Sequence, residues 1–332
     1  MAIAGRAASD EKSGFRMPLR FTLRQLEYFV AVGESGSILQ ASEKIHVSSA
    51  TISGAISQLE QEFGLSLFVR KHARGLSLTQ AGSQMFTQAR KLLSEAELLN
   101  DIAGDITQTV RGSLSVGCYL SFAQLIFPGL RRSFQTKYPD VRVNQFELHQ
   151  SGIFDRIREA TIDIALSYNL DIPADLKFLP LVELPPFVLV HEEHPLAHLP
   201  AVSVNDLKNY AMVLLDLPHT NVYFTSFFAQ VGVKPVIAER TRDMAVMRSL
   251  VANGFGFSIA NVRPLNDRSA DGKKVCYIPL ISDLRPIQMG LLMAAGARNS
   301  FTIQAFVEHC NQTITQESVP GMNMHGSETN CG

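Results

Sequence analysis

The sequence predicts a chain in three parts: an all-α N-terminal domain, one long helix, and a two-lobed α/β domain. Three observations carry this. Between Leu23 and Phe63, apolar residues recur at helical spacing in three short runs separated by small polar breaks. Between Ala81 and Thr109 they recur at alternating intervals of four and three without a break. Beyond Arg111-Gly112 the texture changes to short strand-like runs alternating with helical ones.

The first helix carries Leu23, Leu26, Phe29 and Val30, and Gly36-Ser37 separates it from a second with Ile38, Ala41 and Ile45. Ser37 is placed to cap that second helix. After His46-Val47, Ser48 or Ser49 opens a third helix whose inward face is Ile52, Ala55, Ile56, Leu59 and Phe63, and Gly64 ends it. Two short helices joined by a few residues, at about 38–57, form a helix-turn-helix. Small residues on the outer side of the third helix let it approach the floor of a DNA major groove. Leu67 to Thr79 then gives two extended runs around a basic, glycine-containing tip. This is a wing, whose cations can sit on phosphates, so residues 21–80 read as a winged helix-turn-helix.

This stretch closely resembles the N-terminal domain of LysR-type transcriptional regulators. The matching residues are Leu23 to Val32, Ser37 to Ser48, Ile52-Ser53, Ile56, Leu59-Glu60, Leu67-Phe68 and the Thr79-x-x-Gly82 spacing. The resemblance implies a regulator that binds a double-stranded promoter dyad. The family usually carries Gln-Pro in place of Ser49-Ala50 and often Arg in place of Gly54. No Lys or Arg lies between Val47 and Val69, so an arginine-to-guanine contact cannot come from this helix. Readout then leans on the wing and on DNA shape. The candidate contacts are Ser48, Ser49, Ala50, Thr51, Ser53, Gly54 and Ser57 on the helix, with Arg24, Lys44, Arg70, Lys71 and Arg74 on phosphates. Each cation can equally be a solvated surface charge, and Lys44 can pair with Glu43 or Glu60.

Composition agrees with two or three globular domains: 332 residues, 46% hydrophobic and 18% charged. The net charge of -1 gives no global field that would announce nucleic acid, so the charge argument is local to Arg70, Lys71 and Arg74. Cys118, Cys276, Cys310 and Cys331 are scattered without a CxxC pair and read as reduced thiols. Residues 1–20 and 313–332 read as disordered tails. Met1 to Arg16 lacks the apolar core of a signal peptide, and no window approaches a membrane span. A cytoplasmic location is expected.

The long helix, at 81–110, carries a heptad seam of Met85, Ala89, Leu92, Ala96, Leu99, Ala103 and Ile106. Such a seam either lies on its own domain or wants a partner. The resemblance extends to the family's linker helix and implies a homodimer through it, and a homotetramer beyond that. In the third part, strands are expected at Ser113 to Tyr119, Val141 to Leu148 and Ile162 to Tyr168, with helices at Ala123 to Tyr138 and Ile153 to Ala160. These alternate into a mostly parallel sheet. Leu184-Pro185-Pro186 breaks the pattern. A second set follows, with strands at Phe187 to His191, Met212 to Leu215, Val236 to Glu239, Gly256 to Ala260 and Lys274 to Pro279. Helices lie near Val204 to Asn209, Tyr223 to Gln230 and Met244 to Asn253. Ile287 to Met293 returns as a strand to the first lobe, and Phe301 to Cys310 closes it. Lobe I is thus about 111–185 and 286–312, and lobe II about 186–285. This is a periplasmic-binding-protein-like hinge. It resembles the family's effector domain at Tyr138 to Val141, Thr161 to Ala165, His194 to Ala197 and Leu250 to Gly256.

A small effector should sit between the lobes, outside the carboxyl ends of the strands. The candidates follow strand ends: Ser121, Phe122, Ser151, Gly152, Tyr168 and Asn169 from lobe I, and His219, Thr220, Asn221 and Tyr223 from lobe II. Helix N-termini at Ser121, Ser151 and Thr220 suit an anion, although each can be an ordinary cap and the aromatic rings can be core. No catalytic constellation, metal site or cofactor is expected. His191 and His194 stand three apart rather than four, Gly254-Phe255-Gly256 lacks a third glycine, and no nucleophile elbow is present. The competing readings are a small-molecule binding protein without a regulatory DNA role, and an enzyme with a DNA tether.

Overall fold

The computed structural model describes residues 19–71, 75–107, 109–296 and 300–319. It divides into two compact units, one up to Leu93 and one from Ser94. Residues 1–18 of the expected N-terminal tail, the wing tip at 72–74 and residues 320–332 lie outside the described residues.

The first unit is a three-helix core with a two-stranded wing. Helix α1 (Leu23–Ser35) starts with a reciprocal cap between Thr22 and Gln25. Helix α2 (Ile38–Ile45) is capped by Ser37, and α3 (Ser49–Phe63) by Ser48. The tight turn between α2 and α3 places His46 at φ 55, a left-handed conformation rare for a side chain of that size. Leu26, Phe29, Ile52, Ile56, Leu59 and Leu67 are buried. Strands β1 (Phe68–Lys71) and β2 (Gly75–Leu78) pair antiparallel with Lys71 opposite Gly75. Two contacts lock the wing to the helices. Glu60 on α3 accepts the N–H groups of Leu67 and Phe68 at 2.7 and 3.3 Å. Leu76 donates its N–H to the carbonyl of Gly36 at 2.8 Å. A Cβ at Gly75 would lie 2.6 Å from that same oxygen, so the close approach needs glycine.

Helix α4 (Gln80–Thr107) spans both units. Its first half packs on the first unit, with Ala89 buried and Met85, Phe86 and Leu93 against the Leu26–Phe29 core. From Leu92 on, the seam faces outward: Leu99 is 66% and Ile106 80% exposed.

The second unit has a lobe I sheet in the order β4-β3-β5-β13-β6. Its strands are β3 (Gly112–Tyr119), β4 (Val141–Leu148), β5 (Ile164–Tyr168), β6 (Leu176–Leu184) and β13 (Ile287–Ala294). Helices α5 (Leu120–Leu125), α6 (Phe127–Lys137), α7 (Gln150–Arg158) and α11 (Phe301–Thr313) cover it. In lobe II, β7 (Phe187–His191), β8 (Val202–Ser203), β11 (Ser258–Ala260) and β12 (Val275–Ile281) form one sheet. Strands β9 (Ala211–Leu215) and β10 (Val236–Thr241) pair in parallel beside it, joined through Met212 and Phe257. Helices α8 (Val204–Leu207), α9 (Thr220–Gln230) and α10 (Met244–Ala252) complete the lobe.

Four expectations need correction. The sheets are mixed rather than mostly parallel: β13 runs antiparallel to β5 and β6, and β7 antiparallel to β11 and β12. Strand β6 was not expected. Pro180 hides it, and an edge strand tolerates proline where the register shifts between Met289 and Gly290. The single helix over Ala123 to Tyr138 is two, because the chain breaks at Ile126 and Pro128 sits in the first turn of α6. Finally, the segment after Gln312 does not start as a tail. Ile314 and Val319 are buried in the lobe I core, and Gln316 donates to the Glu183 carbonyl.

Thr79 and Gly82 explain their own spacing. The Thr79 hydroxyl accepts the Gly82 N–H at 2.8 Å and donates to the Ser66 carbonyl, while a Cβ at Gly82 would lie 2.0 Å from the Leu67 oxygen. Helix propensity alone favours Gly82→Ala by about 0.5–1 kcal/mol. Overpacking at this site is expected to outweigh it and destabilise the first unit by about 1–3 kcal/mol. Hydrogen exchange of the α1–α3 amides in the full chain reads the sign; slower exchange in the variant would refute the steric account.

Candidate functional site

The outer side of α3 is built by elimination: Ile52, Ala55, Ile56 and Leu59 turn inward, which leaves Ala50, Thr51, Ser53, Gly54 and Ser57 exposed and Ser49 half-buried. The Ser48 hydroxyl is engaged in capping, accepting the Thr51 N–H at 3.2 Å with the Thr51 hydroxyl 2.8 Å away. A Cβ at Gly54 would meet nothing within 4 Å, so its missing side chain reflects no packing demand. Among the cations, Arg24 bonds Glu27 at 3.2 Å on the surface. Lys44 pairs with Glu34 at 2.7 Å rather than with Glu43 or Glu60. Arg70 is exposed on β1, Lys71 ends that strand, and Arg74 lies outside the described residues.

In the second unit, a small cleft of about 80 Å³ opens between the lobes at the ends of β3, β5, β9, β10 and β11. Tyr119, Ser121, Gln124 and Tyr168 line it from lobe I, and Leu217, Thr220, Arg242, Met247 and Asn261 from lobe II. Three expected residues meet here. Ser121 and Tyr168 share a buried hydrogen bond at 3.0 Å, and Thr220 bonds the Tyr119 hydroxyl at 2.9 Å across the lobes. Burial pushes the phenols of Tyr119 and Tyr168 up, so both stay neutral hydroxyls.

The other expected residues stand behind or beside the cleft. Phe122 is fully buried with its ring 4.5 Å from that of Tyr168. Ser151 is exposed and Gly152 half-buried on α7, outside the lining. Their neighbour Gln150 does the work at that corner: its amide donates to the carbonyls of Tyr168 and Leu170 and accepts from Ser167. Asn169 is tied to Gln288 through backbone and side chain. Asn221 bonds Asp216 at 2.7 Å, and with Arg240 and Arg242 it holds that carboxyl below the usual range. Tyr223 packs against Phe224 and Phe227. His219 forms a second cross-lobe contact, 2.7 Å from Asp171, with its ring 5.9 Å from Phe154. His219 and Asp171 both hold positive φ, 66 and 47°, a strain that marks the rim as constrained.

Sequence reasoning missed Gln124, Arg242 and Asn261. Arg242 and Asn261 directly follow strands β10 and β11, so the strand-end rule that found Ser121 and Tyr168 applies to them as well.

Tyr119→Phe removes the buried cross-lobe bond and strands the Thr220 hydroxyl, which is expected to cost about 1–3 kcal/mol in urea unfolding. Pairing it with Thr220→Val should recover part of that loss. A neutral Tyr119→Phe would show that the bond contributes nothing to holding the lobes.

The comparisons with known proteins fall on these same two units. Residues 23–83 match the bacterial regulatory helix-turn-helix protein model of the lysR family, and residues 107–315 match the LysR substrate binding domain. The DNA-binding transcriptional dual regulator OxyR of Escherichia coli K12 is 26% identical over 277 residues, which is 83% of this chain and 90% of that protein. The crystal structure of HinK, a LysR family regulator from Pseudomonas aeruginosa, is 31% identical with a TM-score of 0.60, covering 88% of this chain and 98% of that one. CbnR, another LysR family regulator, shares the fold at 21% identity and a TM-score of 0.64, over 88% of this chain and 99% of its own. With a helix-turn-helix and wing in one unit, a two-lobed cleft in the other, and both family models matched in that order, the chain belongs to the LysR family of DNA-binding transcriptional regulators.

Proposed function

We propose that this chain acts as a homodimer, joined through α4 and paired further into a tetramer, and that a small anionic effector in the interlobe cleft changes how it sits on a promoter dyad. The observation that carries the effector reading is the meeting of Ser121 and Tyr168 with Thr220 and Arg242 in one cleft lined mainly by apolar groups. Arg242 supplies the positive charge, which also acts on Asp216. The Tyr119–Thr220 and Asp171–His219 contacts bridge the lobes at the mouth of the cleft. An effector that favours one lobe arrangement over another would act by shifting the population between them. On the DNA side, the exposed hydroxyls and methyl of α3 support groove contact, while Arg70 and Lys71 support phosphate contact from the wing.

The reading as a binding protein without a DNA role falls with the family assignment, and the family is one of regulators rather than enzymes. Several relatives are named hydrogen peroxide-inducible genes activators. The expectation of reduced thiols fails at Cys276, which is disulfide-bonded, and peroxide sensing by Cys118 or Cys310 is disfavoured. Both thiols are free and buried, and burial pushes each up, away from the reactive thiolate. No helix among the described residues is long and apolar enough to cross a membrane.

Footprinting on the DNA upstream of the gene tests the DNA reading. Protection of a dyad is expected, with affinity falling steeply as salt rises, and Arg70→Ala should lessen the log–log slope by roughly one per site. An unchanged slope would remove Arg70 from the phosphate contacts. The dimer reading predicts that Leu99→Asp with Ile106→Asp lowers the light-scattering mass; an unaltered mass would refute pairing through α4.

A further inference from the structure

We propose that the cleft selects a small carboxylate that also carries a hydrogen-bond donor, a hydroxy or amino acid rather than a plain acid, and that Asn261 is the residue that reads the donor. This rests on the reading of the cleft as the effector site.

Asn261 lies just beyond β11 and is 2% exposed. Its Nδ2 donates to the Leu184 carbonyl at 2.7 Å. That bond decides the orientation of the amide, because the flipped form would set two oxygens against each other. Oδ1 is then left buried, in the lining of the cleft, with no hydrogen-bond partner among the described residues. A carbonyl oxygen has two acceptor positions, and a buried one left empty is a standing cost that a ligand donor removes. The nearest protein candidate is Tyr223. Burial pushes its phenol up, and Asn261 and the Ile287 backbone pull it partly back, yet its hydroxyl reaches no partner at hydrogen-bonding geometry. Even a rotated Tyr223 would fill only one of the two positions.

The topology sets the size of the ligand. Strands β10, β9 and β11 lie side by side and run parallel, and Arg242 and Asn261 follow the first and third of them. They stand two strand spacings apart, about 10 Å. Leu215 and Leu217, at the end of the strand between, form the apolar floor. The Arg242 side chain spans part of that distance, so a carboxylate on Arg242 and a donor on Asn261 suit a short-chain acid. The same Asn261 amide holds the crossover at Leu184, so a ligand that occupies Oδ1 bears directly on the hinge.

The test is calorimetry on the full chain with matched pairs: hydroxybutyrates and aminobutyrates against butyrate, and hydroxyhexanoates and aminohexanoates against hexanoate. Wild type is expected to bind the best donor-bearing acid about three- to tenfold tighter than its parent. Asn261→Leu should bring that ratio to near one. Arg242→Ala should weaken both members of each pair. Equal affinity for donor-bearing and plain acids in wild type overturns the proposal, whatever the variants do, and leaves the cleft reading standing. So does a preference that survives Asn261→Leu. Binding that ignores Arg242→Ala places the acids elsewhere and sinks the cleft reading as well. If no acid of the panel binds, the proposed ligand class is wrong, and the cleft reading is judged separately by whether Arg242→Ala abolishes a footprint response to cell extract.

Discussion

The bond from the Asn261 amide to the Leu184 carbonyl sits where the chain passes between the lobes, and the second half of the molecule depends on that passage. The chain crosses once through Pro185-Pro186 and returns between β12 and β13. Proline cannot join a sheet ladder as a donor, so the first crossing ends β6 and opens β7 without pairing across the gap. The Leu184 carbonyl, at the end of β6 opposite Ile287, also takes the Asn261 amide from the other lobe. Behind it the apolar core is continuous: Leu166, Met289 and Phe306 of lobe I belong to the same cluster as Val213, Met247 and Tyr277 of lobe II. Movement of the lobes is thus tied to a few polar contacts at the mouth, since the packed core resists gradual deformation.

The first unit solves a different problem with similar economy. Its core is small, so the wing is held by hydrogen bonds at its root as well as by the packing of Phe68, Leu76 and Leu78 on the helices. Glu60 on the inner edge of α3 takes two N–H groups at the root of the wing, and Gly36, at the turn before α2, takes one from its second strand. Recognition helix and wing therefore form one rigid body. This matters for a surface whose helix has no cation of its own. Hydroxyl and methyl groups reach only a short way, so in the reading proposed above the wing would fix how deeply the helix sits.

Much of the fold was legible in the residues. Ser37, Ser48 and Gly64 mark helix ends by chemistry that acts over three or four residues, and the structure places caps at each. The return of Ile287 to lobe I was legible because a strand period and a proline break are both local. What was not legible is what depends on a distant neighbour. Strand β6 escaped because Pro180 is forbidden in a central strand and harmless at an edge, and only the assembled sheet makes it an edge. The antiparallel run of β13 is likewise a property of pairing. Ile314 and Val319 looked like part of a polar tail until the lobe I core gave them a place.

The cleft divides along the same line. The sequence by itself determined the family, the order of the parts, and the strand ends at which a ligand could be met, because those follow from short-range spacing. Only the tertiary structure decided that Ser121, Tyr168 and Thr220 face the cleft while Phe122 and Asn169 serve the framework. It alone brought Arg242 and Asn261 to the same wall. The physical reason is that a side chain's role depends on which partners have already satisfied it. Asn169 and Asn261 are the same residue beyond the same kind of strand, yet Gln288 meets both ends of the first amide, and nothing among the described residues meets the oxygen of the second.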